Sequence, residues 1–338
     1  MIYKKIPFFI FSFITILICF NGVLNHSAIL GKNINLPEIS NKMVNYMNDR
    51  NINWENIGDL KNRDFKQRFK YRWPFKNIEN KFYENIKIFS NLSNKHYALI
   101  YYSIIIFLGF VFTFKSSEIF LDFNKEFSKY LFLLFFLSLY LFIEIISSMS
   151  ETFSYVEFLC ISICLFGALN KNLIIFFLGL LMAIANRESG MAYSILYPLI
   201  NYKIYKLHNN ILILISGPLI FIILNFDIIV FFPYFIIFGG IEERPTFTNL
   251  YSIYSMSKGE LISSILIYII YFTPLIIVNI KNYLKFKLLW PICTLIILIF
   301  ITIIGSFFGN FRLFLIFIPL YIVSFSLYYK HRFLFNIG

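Results

Sequence analysis

Arg187 and Glu188 stand side by side in AIANRESGMAYSILYP (183–198), an ionisable pair between two apolar stretches. A guanidinium and a carboxylate flanked so closely by apolar helix usually face a polar cavity, because hydrocarbon solvates neither. The pattern leaves a second reading open: a mutually neutralised, solvated turn, with Asn186 ending one helix and Gly190 acting as a breaker. A second stretch, RFKYRWPF (68–75), interleaves Arg68 and Arg72 with Tyr71 and Trp73. Planar guanidinium forks can hold a phosphate by paired hydrogen bonds. The same residues also suit an interfacial anchor whose basic tips snorkel toward headgroups.

Other chemistry has no support in the chain. It contains no Gly-rich phosphate loop, no His-Glu pair at zinc-protease spacing, no Gly-x-Ser-x-Gly elbow and no Cys/His cluster of metal-binding spacing. His26, His96, His208 and His331 are scattered. Cys19, Cys160, Cys164 and Cys293 all fall in apolar stretches, where a thiol packs as a small hydrophobe, so no disulfide framework is expected.

The elements that must position these groups follow from composition. Of 338 residues, 59% are hydrophobic and 14% charged, against roughly 25% charged in a soluble domain. Apolar runs of about 18 residues recur along most of the chain, each long enough to cross about 30 Å of hydrocarbon as a helix. Both faces of these runs are apolar, which excludes the alternation of barrel strands. The expected fold is all-α: a polytopic membrane helical bundle of about ten spans, near 6–24, 97–114, 130–147, 156–170, 172–186, 190–203, 210–227, 261–279, 288–305 and 312–329. The 190–203 segment is short and interrupted by Pro198, and 228–238 could be a re-entrant piece. The start, MIYKKIPFFIFSFITILICFNG, has a basic beginning and an apolar core but no convincing small-x-small cleavage site, and reads as an uncleaved first span. The organisation is then a first transmembrane helix (1–24), a long outer segment (25–96) and a transmembrane bundle (97–338). Heavy use of Ile, Phe, Asn, Lys and Tyr is what an AT-rich genome gives.

Charge sets the expected orientation. With Lys4 and Lys5 inside, the short inner segments hold Lys115, Lys125, Lys129, Lys171, Lys203, Lys206, Lys281, Lys285, Lys287, Lys330 and Arg332. The short outer segments hold only Arg187, Arg244, Lys258 and Arg312. This asymmetry places both termini in the cytoplasm; the long 25–96 segment crosses regardless of its charge. Glu144, Glu151, Glu157, Glu188, Asp227, Glu242, Glu243 and Glu260 fall at the outer ends of spans.

Within 25–96, Ile39, Met43, Tyr46 and Met47 share one helical face, as do Phe82, Ile86 and Phe89, which predicts amphipathic helices lying on the outer membrane surface. Glu38, after Pro37, sits near the start of the first, where the helix dipole favours a carboxylate. Nucleic acid is not an expected partner of such an exterior loop, despite its basic-aromatic stretch.

A first span, a long outer segment with a carboxylate near its start, and a bundle whose outer turns carry acids and arginines resembles the GT-C class of polyprenyl-phosphate-dependent membrane glycosyltransferases. NRESGMAYSILYPLI (186–200) is similar to an Arg-Glu-small-residue turn of bacterial members and relatives. YRWPF (71–75) is similar to a Tyr-Arg-x-x-Pro-type stretch of uncharacterised membrane proteins near them. Where that class carries an acidic signature soon after the first span, NGVLNHSAILGKNINLPE (21–38) offers only Glu38. The resemblance implies Glu38 as base toward an acceptor hydroxyl, with Glu55 or Asp59 as substitutes. It implies Arg187, Arg312 and Arg72 as holders of the leaving phosphate. Glu188 would orient Arg187, Glu151 and Glu157 would line the same cavity, and Arg312 lies beside Gly309 and Asn310 in GSFFGNFRLF (305–314). The implied partners are a lipid-linked sugar donor and membrane lipids, the implied site a bacterial inner membrane. No spacing demands a metal, although outer acids could hold magnesium or manganese through oxygen ligands. Two other readings remain: an O-antigen-type polysaccharide polymerase, and a non-catalytic transporter or assembly protein, in which Glu38, Arg187 and Arg312 would not converge.

Overall fold

The computed structural model describes residues 6–29, 94–121, 126–147, 152–186, 188–204, 206–224, 257–305 and 311–335, with single positions 81 and 85. Every regular element among them is helical. In order they are α1 (Ile6–Ile29), α2 (Asn94–Glu118), α3 (Glu126–Ser147), α4 (Thr152–Leu169), α5 (Leu173–Asn186), a 3-10 segment (Glu188–Ile195), α6 (Leu196–Asn201), α7 (Leu207–Leu224), α8 (Lys258–Phe286), α9 (Trp290–Gly305), a second 3-10 segment (Phe311–Phe317) and α10 (Ile318–Phe335). By length and composition α1, α2, α3 and α8 can cross a membrane; α4, α5, α7 and α10 are shorter apolar helices. The amphipathic helices expected within 25–96 and the piece at 228–238 lie outside the described residues.

α4 is the axis of the bundle. It packs against α2, α5, α6, α10 and the Phe311–Phe317 segment, and Tyr155 through Leu165 are buried without interruption. Helices that associate in lipid gain little from hiding apolar surface, since acyl chains are as apolar as leucine; close packing and internal polar bonds hold them instead. The outward faces bear this out. Ile10, Ile14 and Ile18 of α1, Leu134 of α3, and Ile262, Ile269, Ile277 and Leu284 of α8 are large apolar side chains left exposed.

Ring and side-chain contacts fix the direction of each helix. Phe8 of α1 meets Phe114 of α2 and Phe20 meets Tyr102, so these two are antiparallel. Phe110 meets Phe136 and Phe114 meets Phe132, so α3 opposes α2. Tyr102 meets Tyr155, and Thr113 Oγ1 lies 3.2 Å from Ser162 Oγ, so α4 runs with α2. Tyr271 stacks on Phe314 and Asn282 Nδ2 donates to the Ser324 carbonyl, so α8 runs with α10. Lys330 lies over the Phe120 ring, which puts the end of α10 at the end of α2. The bundle thus has one end where α2, α4 and α8 begin and another where they finish.

The 190–203 stretch departs from the expected single span. It begins as the 3-10 segment and becomes α-helical only at Leu196. Pro198 falls in the first turn of α6, where a missing N–H goes unnoticed. A Cβ on Gly190 would collide with the Ala183 carbonyl group of α5, and one on Gly217 of α7 with the Met191 carbonyl oxygen. Gly190 is therefore a buried point of backbone contact, four residues after the α-helix has ended at Asn186. Within α7, Pro218 takes away the N–H that would bond the Leu214 carbonyl; the Ser194 hydroxyl donates to that oxygen at 2.9 Å in its place. Asn201 Nδ2, at the end of α6, donates to the Ala168 carbonyl near the end of α4.

The turns at the far end are built around lysines. After α4 the Asn172 N–H reaches the Gly167 carbonyl and the Lys171 N–H the Ala168 carbonyl, the two bonds of a Schellman cap. This holds Lys171 at φ 57°, while the Asn172 side chain accepts from the Ile175 N–H to start α5. Lys287 closes α8 in the same left-handed way, φ 54° and ψ 31°. A residue with a Cβ sits there at a penalty of about 1 kcal/mol. α8 opens on a capping box in which Ser257 and Glu260 satisfy each other's backbone N–H.

A candidate acidic site at one end of the bundle

At the end where α2, α4 and α8 begin, two carboxylates are drawn inside the helices. Glu144, three residues before the end of α3, is 2% exposed, and Glu157, in the second turn of α4, is 1% exposed. Each accepts a hydrogen bond from a buried tyrosine: Tyr155 Oη donates to Glu144 Oε2 at 3.2 Å, and Tyr193 Oη to Glu157 Oε1 at 3.0 Å. Buried carboxylates demand such donors, since a bare one is far costlier to desolvate than a neutral group.

α4 separates the two pairs. Tyr155 and Glu157 are two residues apart on one helix and so point to different faces. One pair joins α4 to α3, and the other joins α4 to the 3-10 segment. Tyr155 is aimed by its neighbours: its ring lies 5.5 Å from Phe20 of α1 and 5.3 Å from Tyr102 of α2. Tyr140, one turn before Glu144, is also buried and within electrostatic reach of Glu144, Tyr155 and Cys19. The Ser154 hydroxyl is buried there too and has no hydrogen-bond partner among the described residues. Tyr193 lies three residues after Gly190, on the 3-10 segment that Gly190 seats against α5.

The sequence-derived candidates divide sharply. Glu157 belongs to this cluster. Glu188 begins the 3-10 segment at the same end, and Arg312 lies on the Phe311–Phe317 segment, which packs against α3 and α4; for both, only the backbone is described. Arg187, Glu151, Glu38, Glu55, Asp59 and Arg72 lie outside the described residues. Glu260 is exposed and serves its capping box. Sequence reasoning sorted Glu144 with the rim acids and missed it as a site residue, with its partners Tyr155 and Tyr193. The signal was available: a lone carboxylate within YLFIEIIS, four residues after a tyrosine.

The opposite end carries most of the described lysines, Lys115, Lys129, Lys171, Lys203, Lys206, Lys281, Lys285, Lys287 and Lys330, while Lys95 and Lys258 stand at the acidic end in the first turns of α2 and α8. Lys115 pairs there with Glu118 at 2.8 Å. Among the described residues no group of three or more His, Cys, Asp or Glu side chains gathers to hold a metal ion. Cys160 and Cys164 are buried in α4 as free thiols. No family model, curated protein or solved structure matches this chain.

Proposed function

We propose that the chain is a polytopic membrane glycosyltransferase of GT-C type, which takes a sugar from a polyprenyl-phosphate donor at the acidic end of the bundle and serves cell-surface glycan synthesis. The observation that carries this reading is the gathering of Glu144, Glu157, the start of the Glu188–Ile195 segment and the Arg312-bearing segment at one end, opposite most of the described lysines. By the charge rule the lysine end faces the cytoplasm of a bacterial inner membrane, with the ten helical segments as ten crossings and both termini inside. The acidic end then faces outward, where a lipid-borne substrate is presented.

In this reading a carboxylate of the 25–96 segment, Glu38 first, removes the acceptor proton. Arg187 and Arg312 receive the leaving phosphate, as charge develops on it, through forked hydrogen bonds. Glu157 and Tyr193 are positioning residues that fasten the Glu188–Ile195 segment to α4. The test is transfer of radiolabelled sugar from polyprenyl-phosphate donors by the purified full chain in nanodiscs. Arg187→Ala and Arg312→Ala should each lower turnover by at least about 100-fold, the scale of one lost transition-state contact. Transfer unaffected by the double variant overturns the reading.

The buried Glu–Tyr pairs also favour a second reading, a proton-coupled transporter, since carboxylates enclosed by helices commonly relay protons. Flux in proteoliposomes that follows an imposed pH gradient and vanishes in Glu144→Gln, with no sugar transfer, would establish it instead.

A further inference from the structure

We propose that the lysine end binds anionic phospholipid, and that its seat is the corner formed by the last turns of α8, the turn into α9 and the end of α10. Lys281 and Lys285 lie one turn apart on α8 and are exposed, Lys287 follows in the left-handed cap, and Lys330 lies on α10. Lys281 Nζ sits 5.7 Å from the Tyr328 ring, Lys287 Nζ 5.6 Å from Tyr283 and Lys330 Nζ 5.9 Å from Phe120. A ring face occupies one side of each ammonium and leaves N–H bonds on the other for phosphate oxygens. Among the described residues no carboxylate pairs with Lys281, Lys287 or Lys330, in contrast with Lys115 and Glu118. Lys281 and Lys285, one turn apart on the same face of α8, repel each other, and an anion from outside the chain relieves them.

Two further features point to a lipid. The exposed flank of α8 leading into the corner is apolar, with Ile276, Ile277, Ile280 and Leu284 on the surface. A site for acyl chains therefore runs directly into the site for the headgroup, which a free anion would not need. Base composition does not account for Lys287: AT-rich coding supplies asparagine as readily as lysine, and asparagine adopts a left-handed backbone more easily.

The test is native mass spectrometry of the detergent-solubilised full chain with phosphatidylglycerol or phosphatidylcholine. Phosphatidylglycerol should be retained preferentially. Gln at Lys281, Lys285, Lys287 and Lys330 should lower that retention by at least about tenfold, while Gln at Lys115, Lys171, Lys203 and Lys206 leaves most of it. Arg at the four corner positions should preserve it, which separates lost charge from lost folding. Equal loss in the two Gln sets, no preference in the wild type, loss in the Arg set, or displacement by inorganic phosphate would each overturn the proposal.

Discussion

The two ends of the bundle handle charge in opposite ways. At the lysine end the ionic groups stand mostly in the open, over aromatic rings, on turns that hold Lys171 and Lys287 in a left-handed backbone. At the acidic end Glu144 and Glu157 are withdrawn into the helices and each is met by a tyrosine from another element. Exposed charge adds little to stability, whereas a buried polar group must be satisfied or it destabilises. The fold thus depends on the acidic pairs in a way that it does not depend on the lysines.

That contrast can be broken by substitution. The largest effect should come from Glu144→Ala and Glu157→Ala, which strand a buried tyrosine hydroxyl and leave a void, lowering stability by about 2–4 kcal/mol. Thermal unfolding of the solubilised chain measures this, and unchanged melting would mean that water already reaches these groups. Gly190→Ala and Gly217→Ala force backbones apart and should lose about 1–3 kcal/mol in the same assay. Tyr193→Phe and Tyr155→Phe should follow at about 1–2 kcal/mol, with Glu157→Gln milder than Glu157→Ala because an amide oxygen still accepts. Smallest, and of opposite sign, Lys171→Gly should raise stability by up to about 1 kcal/mol by relieving the left-handed backbone. A stability loss there would show that the lysine side chain packs as well as carries charge.

The helices were legible because apolar runs of this length have few other uses: each expected segment overlaps a helical element, and the run from Lys258 extends to Phe286 through Pro274. The pooling of lysines was legible too, since their positions alternate with the runs. The internal form of 188–201 was not, because hydropathy is blind to whether a greasy stretch is α or 3-10. The close backbone approaches at Gly190 and Gly217 that accompany it are tertiary and leave no trace in hydropathy. Glu144 was missed for a related reason. Its donor Tyr155 is 11 residues away on the next helix, and Tyr193 lies 36 residues from Glu157. A linear reading sees each acid near a helix end, where solvent is the default partner, and cannot see the ring that replaces solvent.

The join at Gly190 and Gly217 has a mechanical consequence. With main chain seated on main chain at both points, α5, the Glu188–Ile195 segment and α7 form a single stiff plank that side-chain rotation cannot loosen. The Phe311–Phe317 segment, by contrast, meets α8 through rings, Phe314 against Tyr268, Tyr271 and Phe272, and rings can turn. Relative movement of helices is therefore easier at that aromatic seam than at the glycine join behind it.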